Sequence, residues 1–235
     1  MDAHALAATL RRLGDEPAGL PLQQSVQQVV DACVQVFGVS GSGLMVADDQ
    51  SVLRYAVATD GPGRQLEDVQ LESGDGPCIE AFVREDVVVS EDLATDARWP
   101  AVAAKVGPLG VHGMLGVPVY LSGMPVGSLD VYVDEPHRWD GSEQRAMRSF
   151  ADVSGSLMEA AVAAQQAGQL ADQLNYALEH RVSIERGIGY LMARDRLDNT
   201  DAFNKLRRAA RNARRRIGDV AEELLRTGSL PDEHG

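Results

Sequence analysis

Apolar positions along the chain change their spacing several times, and each change marks a predicted element. Leu6, Leu10 and Leu13 recur at helical spacing before the chain breaks at Gly14, Pro17, Gly19 and Pro21, which predicts a short N-terminal helix suited to docking. Leu22, Val26, Val29, Val30, Cys33 and Phe37 repeat at three and four, the stripe of an amphipathic helix. Residues 42–49 and 51–60 then read as two strands with a short polar link, an antiparallel hairpin. A glycine- and acid-rich stretch containing Glu72-Ser73-Gly74-Asp75-Gly76-Pro77-Cys78 comes next, with no element assigned to it. A short helix near residues 79–84 and the β-branched triplet at 87–89 follow it.

Residues 97–106 carry a second short helical pattern, ended by Gly107-Pro108. Residues 112–121 and 126–134 alternate as strands, joined by Ser122-Gly123-Met124-Pro125 in a second hairpin signal. Helix resumes at Asp140, where Asp140 and Glu143 have capping-box spacing, and helix-forming composition then runs to Arg194. The expectation is an α+β architecture, a mostly antiparallel sheet flanked by helices. Within the long helical stretch Leu157, Ala160, Ala164, Ala167, Ala171, Leu174 and Leu178 form about three heptads of a small-residue seam. Up to about residue 163 that stripe could cover its own sheet; beyond it, a parallel contact with a second copy of the chain is expected.

Charge divides the chain more sharply than hydropathy does. The 235 residues hold 22 Lys and Arg against 35 Asp and Glu, a net charge of −13, which argues against a phosphate-rich partner for the chain as a whole. Residues 180–226, however, carry twelve basic and seven acidic side chains, leaving ten against twenty-eight elsewhere. Such asymmetry points to a separate module with an anionic partner. No apolar run approaches the roughly 20 residues of a membrane span, and the N-terminus lacks the pattern of a secretory signal, so the chain is expected in the cytoplasm. Cys33 and Cys78 are too few for a disulfide framework or a cysteine-based metal site, and no metal is expected. The five histidines form no ligand pair, and no Walker loop, GxSxG elbow or GxGxxG occurs; the chain is not expected to be an enzyme.

In the basic block, Ile184, Ile188, Leu191 and Met192 share one helical face, while Arg186, Tyr190 and Arg194 line another at i, i+4 and i+8. Arginines there could hold phosphates and the tyrosine could stack on an unpaired base; a solvated arginine face with a packed tyrosine gives the same pattern. A second helix, capped by Asn199 or Thr200, buries Ala202, Phe203, Leu206, Ala209, Ala210 and Ala213 and turns Lys205, Arg208 and Arg215 outward, with Asn204, Arg211 and Asn212 beside them. Seven Lys and Arg lie between Lys205 and Arg216 without an acidic residue among them, and their mutual repulsion favours an external anion. A third helix from about Asp219 closes the small core through Val220, Leu224 and Leu225, and Gly228 stops it. In the N-terminal half, Cys78 is either a reactive thiol or a small buried residue at a helix start. Trp99 and His112 are either pocket-lining residues or core residues with satisfied polar atoms. Gly74-Asp75-Gly76-Pro77 lacks the Lys-Ser/Thr of a phosphate loop and reads as a turn.

The order Gly74-Asp75-Gly76-Pro77-Cys78, Asp92-Leu93, Asp96-x-Arg98-Trp99-Pro100, Gly113-x-x-x-Gly116-Val117-Pro118-Val119 and Gly127-x-Leu129 resembles a GAF domain. The segments Ala177-Leu178-x-x-Arg181-x-x-Ile184-Glu185, Gly189-x-Leu191-Met192-Ala193-Arg194, Ala202-Phe203-x-x-Leu206-Arg207 and Asp219-Val220-Ala221 resemble an ANTAR domain. Together they match the GAF-ANTAR regulators of the actinobacterial type. The resemblance implies a sensory module, whose ligand and any cofactor stay unassigned, joined to a three-helix module that binds RNA hairpins in transcription antitermination. Where many members read Ala-Lys-Gly, this chain reads Gly187-Ile188-Gly189, so any RNA contact of that lysine is absent. The expected divisions are a helical segment at 1–19, a GAF sensor at 20–165, a coiled-coil linker with the ANTAR domain at 166–228 and a tail at 229–235. The expected RNA-binding residues are Arg186, Tyr190, Arg194, Lys205, Arg208, Arg211 and Arg215; the expected sensor pocket holds Cys78, Trp99 and His112. The partners expected are an RNA hairpin, a small-molecule ligand and a second copy of the chain. Two other functions compete with this one: an interaction adaptor whose basic helices dock an acidic protein, and a GAF-type sulfoxide reductase, which would need paired reactive cysteines.

Overall fold

A computed structural model describes residues 3–14, 20–48, 52–164 and 169–233. The chain divides into two compact units, one of residues 1–46 with 53–171 and one holding the residues from 172 onward. No helix of the described residues is long and apolar enough to cross a membrane.

The first unit contains α1 (Ala3–Gly14), α2 (Leu22–Phe37), β1 (Gly41–Ala47), β2 (Leu53–Ala58), α3 (Gly61–Ser73), α4 (Pro77–Arg84), β3 (Val88–Ser90), α5 (Pro100–Val106), β4 (Met114–Leu121), β5 (Met124–Tyr132) and α6 (Gly141–Ala163). The strands form one sheet in the order β2-β1-β5-β4-β3, with β1–β5, β5–β4 and β4–β3 antiparallel. This is the expected α+β sheet flanked by helices. The β4–β5 hairpin turns at Ser122 and Gly123, both at positive φ (49° and 76°), as a two-residue turn matched to strand twist requires.

Two helical layers sandwich the sheet, and strand alternation decides what each meets. Gly43 and Asp130 are register partners on β1 and β5, and their shared face meets α3 and α4. Ser42 points to the opposite face, where Cys33 of α2 hydrogen-bonds it. On that second face α2 and α6 pack together, with Phe37 against Phe150 at 5.9 Å between ring centroids. The capping box of α6 is complete: the Asp140 carboxylate accepts from the Glu143 backbone N–H at 2.9 Å, and Glu143 accepts from that of Asp140 at 2.8 Å.

One helix lies where no element is assigned from the sequence. α3 occupies the glycine- and acid-rich stretch, capped by Asp60, whose carboxylate accepts from the Gly63 N–H at 2.8 Å, and closed by Gly74 in the left-handed region. Its buried side chains include Glu67 and Gln70 beside Leu66, so hydropathy conceals the inward face. The long helical stretch after Asp140 is described as two helices, α6 and α7 (Gln169–Asp195). Of the heptad seam, Ala167 and the side chain of Ala171 lie outside the described residues; Ala160 and Ala164 are exposed, Leu157 and Leu178 partly covered, and Leu174 is 1% exposed within the single chain.

In the second unit α7 is followed by α8 (Asn199–Ala213) and α9 (Ile217–Thr227). The cap of α8 is Asp198, one residue ahead of the expected position, accepting from the Asp201 N–H at 2.8 Å. Leu191, Leu206, Ala209, Ala210, Ile217, Val220, Ala221 and Leu224 form its core. Gly187 is where three helices converge: a Cβ there would stand 3.1 Å from the Ala221 methyl and 3.5 Å from Leu206. Tyr176, stacked on His180 at 4.1 Å, accepts from the Gly218 N–H at 3.1 Å and so ties the start of α9 to α7.

Candidate functional site

The basic residues of the second unit fall into two groups, separated by whether a carboxylate of the same unit reaches them. Arg194 is fully engaged: its guanidinium donates to both oxygens of Asp195 (2.7 and 2.9 Å), to both of Glu233 (2.9 and 2.7 Å) and to the Gly228 carbonyl (2.8 Å). Lys205 donates to Asp195 at 2.9 Å and lies 3.1 Å from Glu233. Arg215 pairs with Glu223 on α9. The pairing holds the acids ionised: hydrogen bonds from Arg194 and Lys205 draw Asp195 well below the usual carboxylate range, and Arg194 with the Leu230 N–H brings Glu233 down to about 2.

Arg186, Arg208 and Arg211 are exposed and meet no acidic partner among the described residues. Arg208 and Arg211 stand one turn apart on α8, so two unneutralised guanidinium groups share one surface. Tyr190, 37% exposed, is intermediate: its hydroxyl reaches the Gly228 carbonyl at 3.5 Å and Arg194 lies 5.9 Å from its ring. The predicted stripe of Arg186, Tyr190 and Arg194 therefore begins in solvent and ends in an ion-pair network. Sequence reasoning missed the partners of Lys205 and Arg215 because Asp195, Glu233 and Glu223 lie outside α8, and it passed over Asp195 beside Arg194 on α7.

The three pocket candidates of the first unit are held by different partners. Trp99 is buried, donates from Nε1 to Glu80 at 3.0 Å and is covered by Arg98 at 4.1 Å. His112 Nδ1 lies 2.8 Å from Asp92. Cys78 alone enters a buried polar cluster, formed with Glu67 and Gln70 of α3 and Asp130 of β5. Its N–H donates to the Gln70 side-chain oxygen at 2.9 Å, and its Sγ lies 3.2 Å from Gln70 Nε2 and 3.3 Å from Asp130 Oδ2. Burial first, then the negative charge of Asp130, pushes the Glu67 carboxyl and the Cys78 thiol up; burial likewise raises Asp130. Glu67 and Asp130 were not anticipated, although a lone Asp in an apolar strand run was a visible signal. Cys33 and Cys78 lie on opposite faces of the sheet, so they do not form the pair that the reductase alternative requires.

With that geometry in place, the comparisons define the class. The chain belongs to the GAF domain family, which matches residues 19–159, and an ANTAR domain matches residues 172–225 behind it. Both are regulatory domains, and their succession is the GAF-ANTAR architecture. The first unit is similar in fold to the GAF domain of a phosphoenolpyruvate-protein phosphotransferase from Coxiella burnetii (TM-score 0.58, 20% identity, 71% of this chain and 100% of that one). It is also similar to the corresponding domain from Acinetobacter (0.56, 18%, 71% and 100%). The free methionine-R-sulfoxide reductase from Neisseria meningitidis, determined with its substrate, shares the fold too (0.54, 18%, 70% and 95%). At these identities the likeness is one of fold alone. No curated protein matches the chain.

Proposed function

We propose that this chain is a cytoplasmic, signal-responsive antitermination regulator: its GAF unit senses a small ligand, and its ANTAR unit binds hairpins in nascent RNA. The observation that carries this reading is the set of exposed arginines, Arg186, Arg208 and Arg211, that meet no carboxylate among the described residues, on the ANTAR unit of a chain whose net charge is −13. Unpaired guanidinium groups retained in an acidic protein favour an external polyanion. In this reading these three arginines hold phosphates and the exposed face of Tyr190 stacks on a loop base. Arg194, Lys205 and Arg215 act mainly as a frame that fixes α7, α8 and the segment after α9. The exposed part of the seam, at Ala160 and Ala164, joins two copies, so that ligand binding in one unit biases the spacing of the RNA-binding surfaces.

The test is the affinity of the full-length protein for a panel of RNA hairpins at several salt concentrations, beside an acidic polypeptide of equal charge. Preference for hairpins with a steep salt dependence supports the reading. Equal or tighter binding of the acidic polypeptide overturns it in favour of an interaction adaptor.

A further inference from the structure

We propose that Glu67, Cys78 and Asp130 form a binding site for one divalent transition-metal ion of the zinc type, with Cys78 Sγ and one oxygen from each carboxylate as ligands. The inference concerns the GAF unit alone and stands whether or not the ANTAR unit binds RNA. Three elements bring the groups together: α3 supplies Glu67, the first turn of α4 supplies Cys78, and the central strand β5 supplies Asp130. Their ligand atoms all lie within 4.8 Å of one another, and all three residues are buried. Bonds of about 2.0–2.3 Å to one zinc ion place donor atoms roughly 3–4 Å apart, so closure requires side-chain adjustment and no rearrangement of the sheet.

The surroundings point to a cation. The negative charges of Asp130 and Asp68 act on Glu67, and those of Asp130 and Glu67 act on Cys78. The described residues supply only the Gln70 amide and the Gly43 N–H as other donors. Glu67 Oε1 is buried and receives no hydrogen bond from the described residues. Ionisable groups sealed from water are neutralised by protons or by a metal. Metal binding releases the protons of its ligands to solvent, and the ion takes their place. One sulfur with two oxygens selects a borderline ion such as zinc or cobalt(II) over magnesium or calcium, which favour oxygen alone. Gly43 is part of the site: a Cβ there would stand 2.5 Å from Glu67 Oε1 and 3.2 Å from Asp130 Oδ2, filling the space into which both carboxylates turn. Three protein ligands leave a fourth position, which a water or a signal molecule can occupy.

The test uses the full-length, reduced protein, stripped with chelator and titrated with Co2+ and then Zn2+. One equivalent of Co2+ should bind with a thiolate-to-cobalt charge-transfer band in the near ultraviolet and visible ligand-field bands, and Zn2+ should displace it. Cys78→Ser should abolish the charge-transfer band and lower zinc affinity by at least about tenfold, whereas Cys33→Ser should change neither. X-ray absorption of the zinc-loaded wild type should show one sulfur neighbour among oxygens, a readout that does not depend on a variant folding. Failure of the folded wild type to take up either ion, a band that persists in Cys78→Ser, or zinc without a sulfur neighbour would overturn the proposal.

Discussion

Arg208 and Arg194 differ in one respect that a pair of substitutions can exploit: the first has no carboxylate partner among the described residues, and the second has two. If Arg208 holds one RNA phosphate, Arg208→Gln removes one counterion-release event, so the slope of log K against log salt falls by roughly 0.7–0.9. At about 0.15 M salt that slope corresponds to a four- to sixfold loss of affinity, or about 1 kcal/mol. The fold should not register the change, because an exposed arginine without partners contributes within about 0.5 kcal/mol.

Arg194→Gln should behave in the opposite way. Its side chain is 24% exposed, and those of Asp195 and Glu233 are 21% and 33% exposed, so the pairs are only partly screened by solvent. Two such pairs contribute about 0.2–1 kcal/mol each, and the bond to the Gly228 carbonyl adds about 1 kcal/mol. The variant should therefore destabilise the second unit by about 2 kcal/mol, lowering its melting temperature by roughly 8–16 °C for a unit of this size. Hairpin affinity at 10 °C, where the variant is folded, should change little. Fluorescence-anisotropy titrations at four salt concentrations, with melting followed by calorimetry, supply both readouts. The division into contacts and frame is wrong if Arg194→Gln leaves melting unchanged yet weakens binding more than Arg208→Gln does.

Acid should unfold the second unit through the same network. Glu233 and Asp195 are drawn below their ordinary values, so the stability they contribute is complete above about pH 4.5 and is lost as pH falls toward 2; Glu233→Gln should flatten that part of a pH–stability curve. Gly187→Val should cost about 1–3 kcal/mol by forcing α7 away from Ala221, measured as a lower urea midpoint, and an unchanged midpoint would mean that the helices separate without cost. The wild type should sediment as a dimer. One residue inserted after Ala164 should disrupt the coupling of RNA affinity to the sensor, whereas seven should preserve it; equal behaviour of the two insertions would show that the units are merely tethered.

How far the sequence could be read depended on what each helix buries. α2 was legible to the residue because Val26, Val29, Val30 and Cys33 are both apolar and buried. α6 began where its capping box said it should. α8 was legible along its apolar face, and its basic face was correctly placed outside the core. Ionic partners were not legible: nothing local to Lys205 or Arg215 indicates that Asp195, Glu233 and Glu223 lie across the fold. A one-dimensional charge count treats a framed arginine and a free one alike.

α3 shows the deeper limit. Hydropathy finds a helix by assuming that its inward residues are apolar, and here Glu67 and Gln70 are fully buried beside Leu66. The available signals were at the ends, Asp60 as cap, Pro62 in the first turn and Gly74 as stop, which mark a helix without regard to what its middle buries. Burying a carboxyl and an amide there is unfavourable unless something repays it in hydrogen bonds or charge. Gly43 opposite Asp130 has the same character, since a strand loses packing at a glycine unless the space is needed. The place where the hydrophobic pattern fails, the strand position without a side chain and the acid within an apolar strand all converge on Cys78. Three separate departures from the rules of a well-packed core at a single point mark it as a site shaped by what it holds, and not by what stabilises the fold.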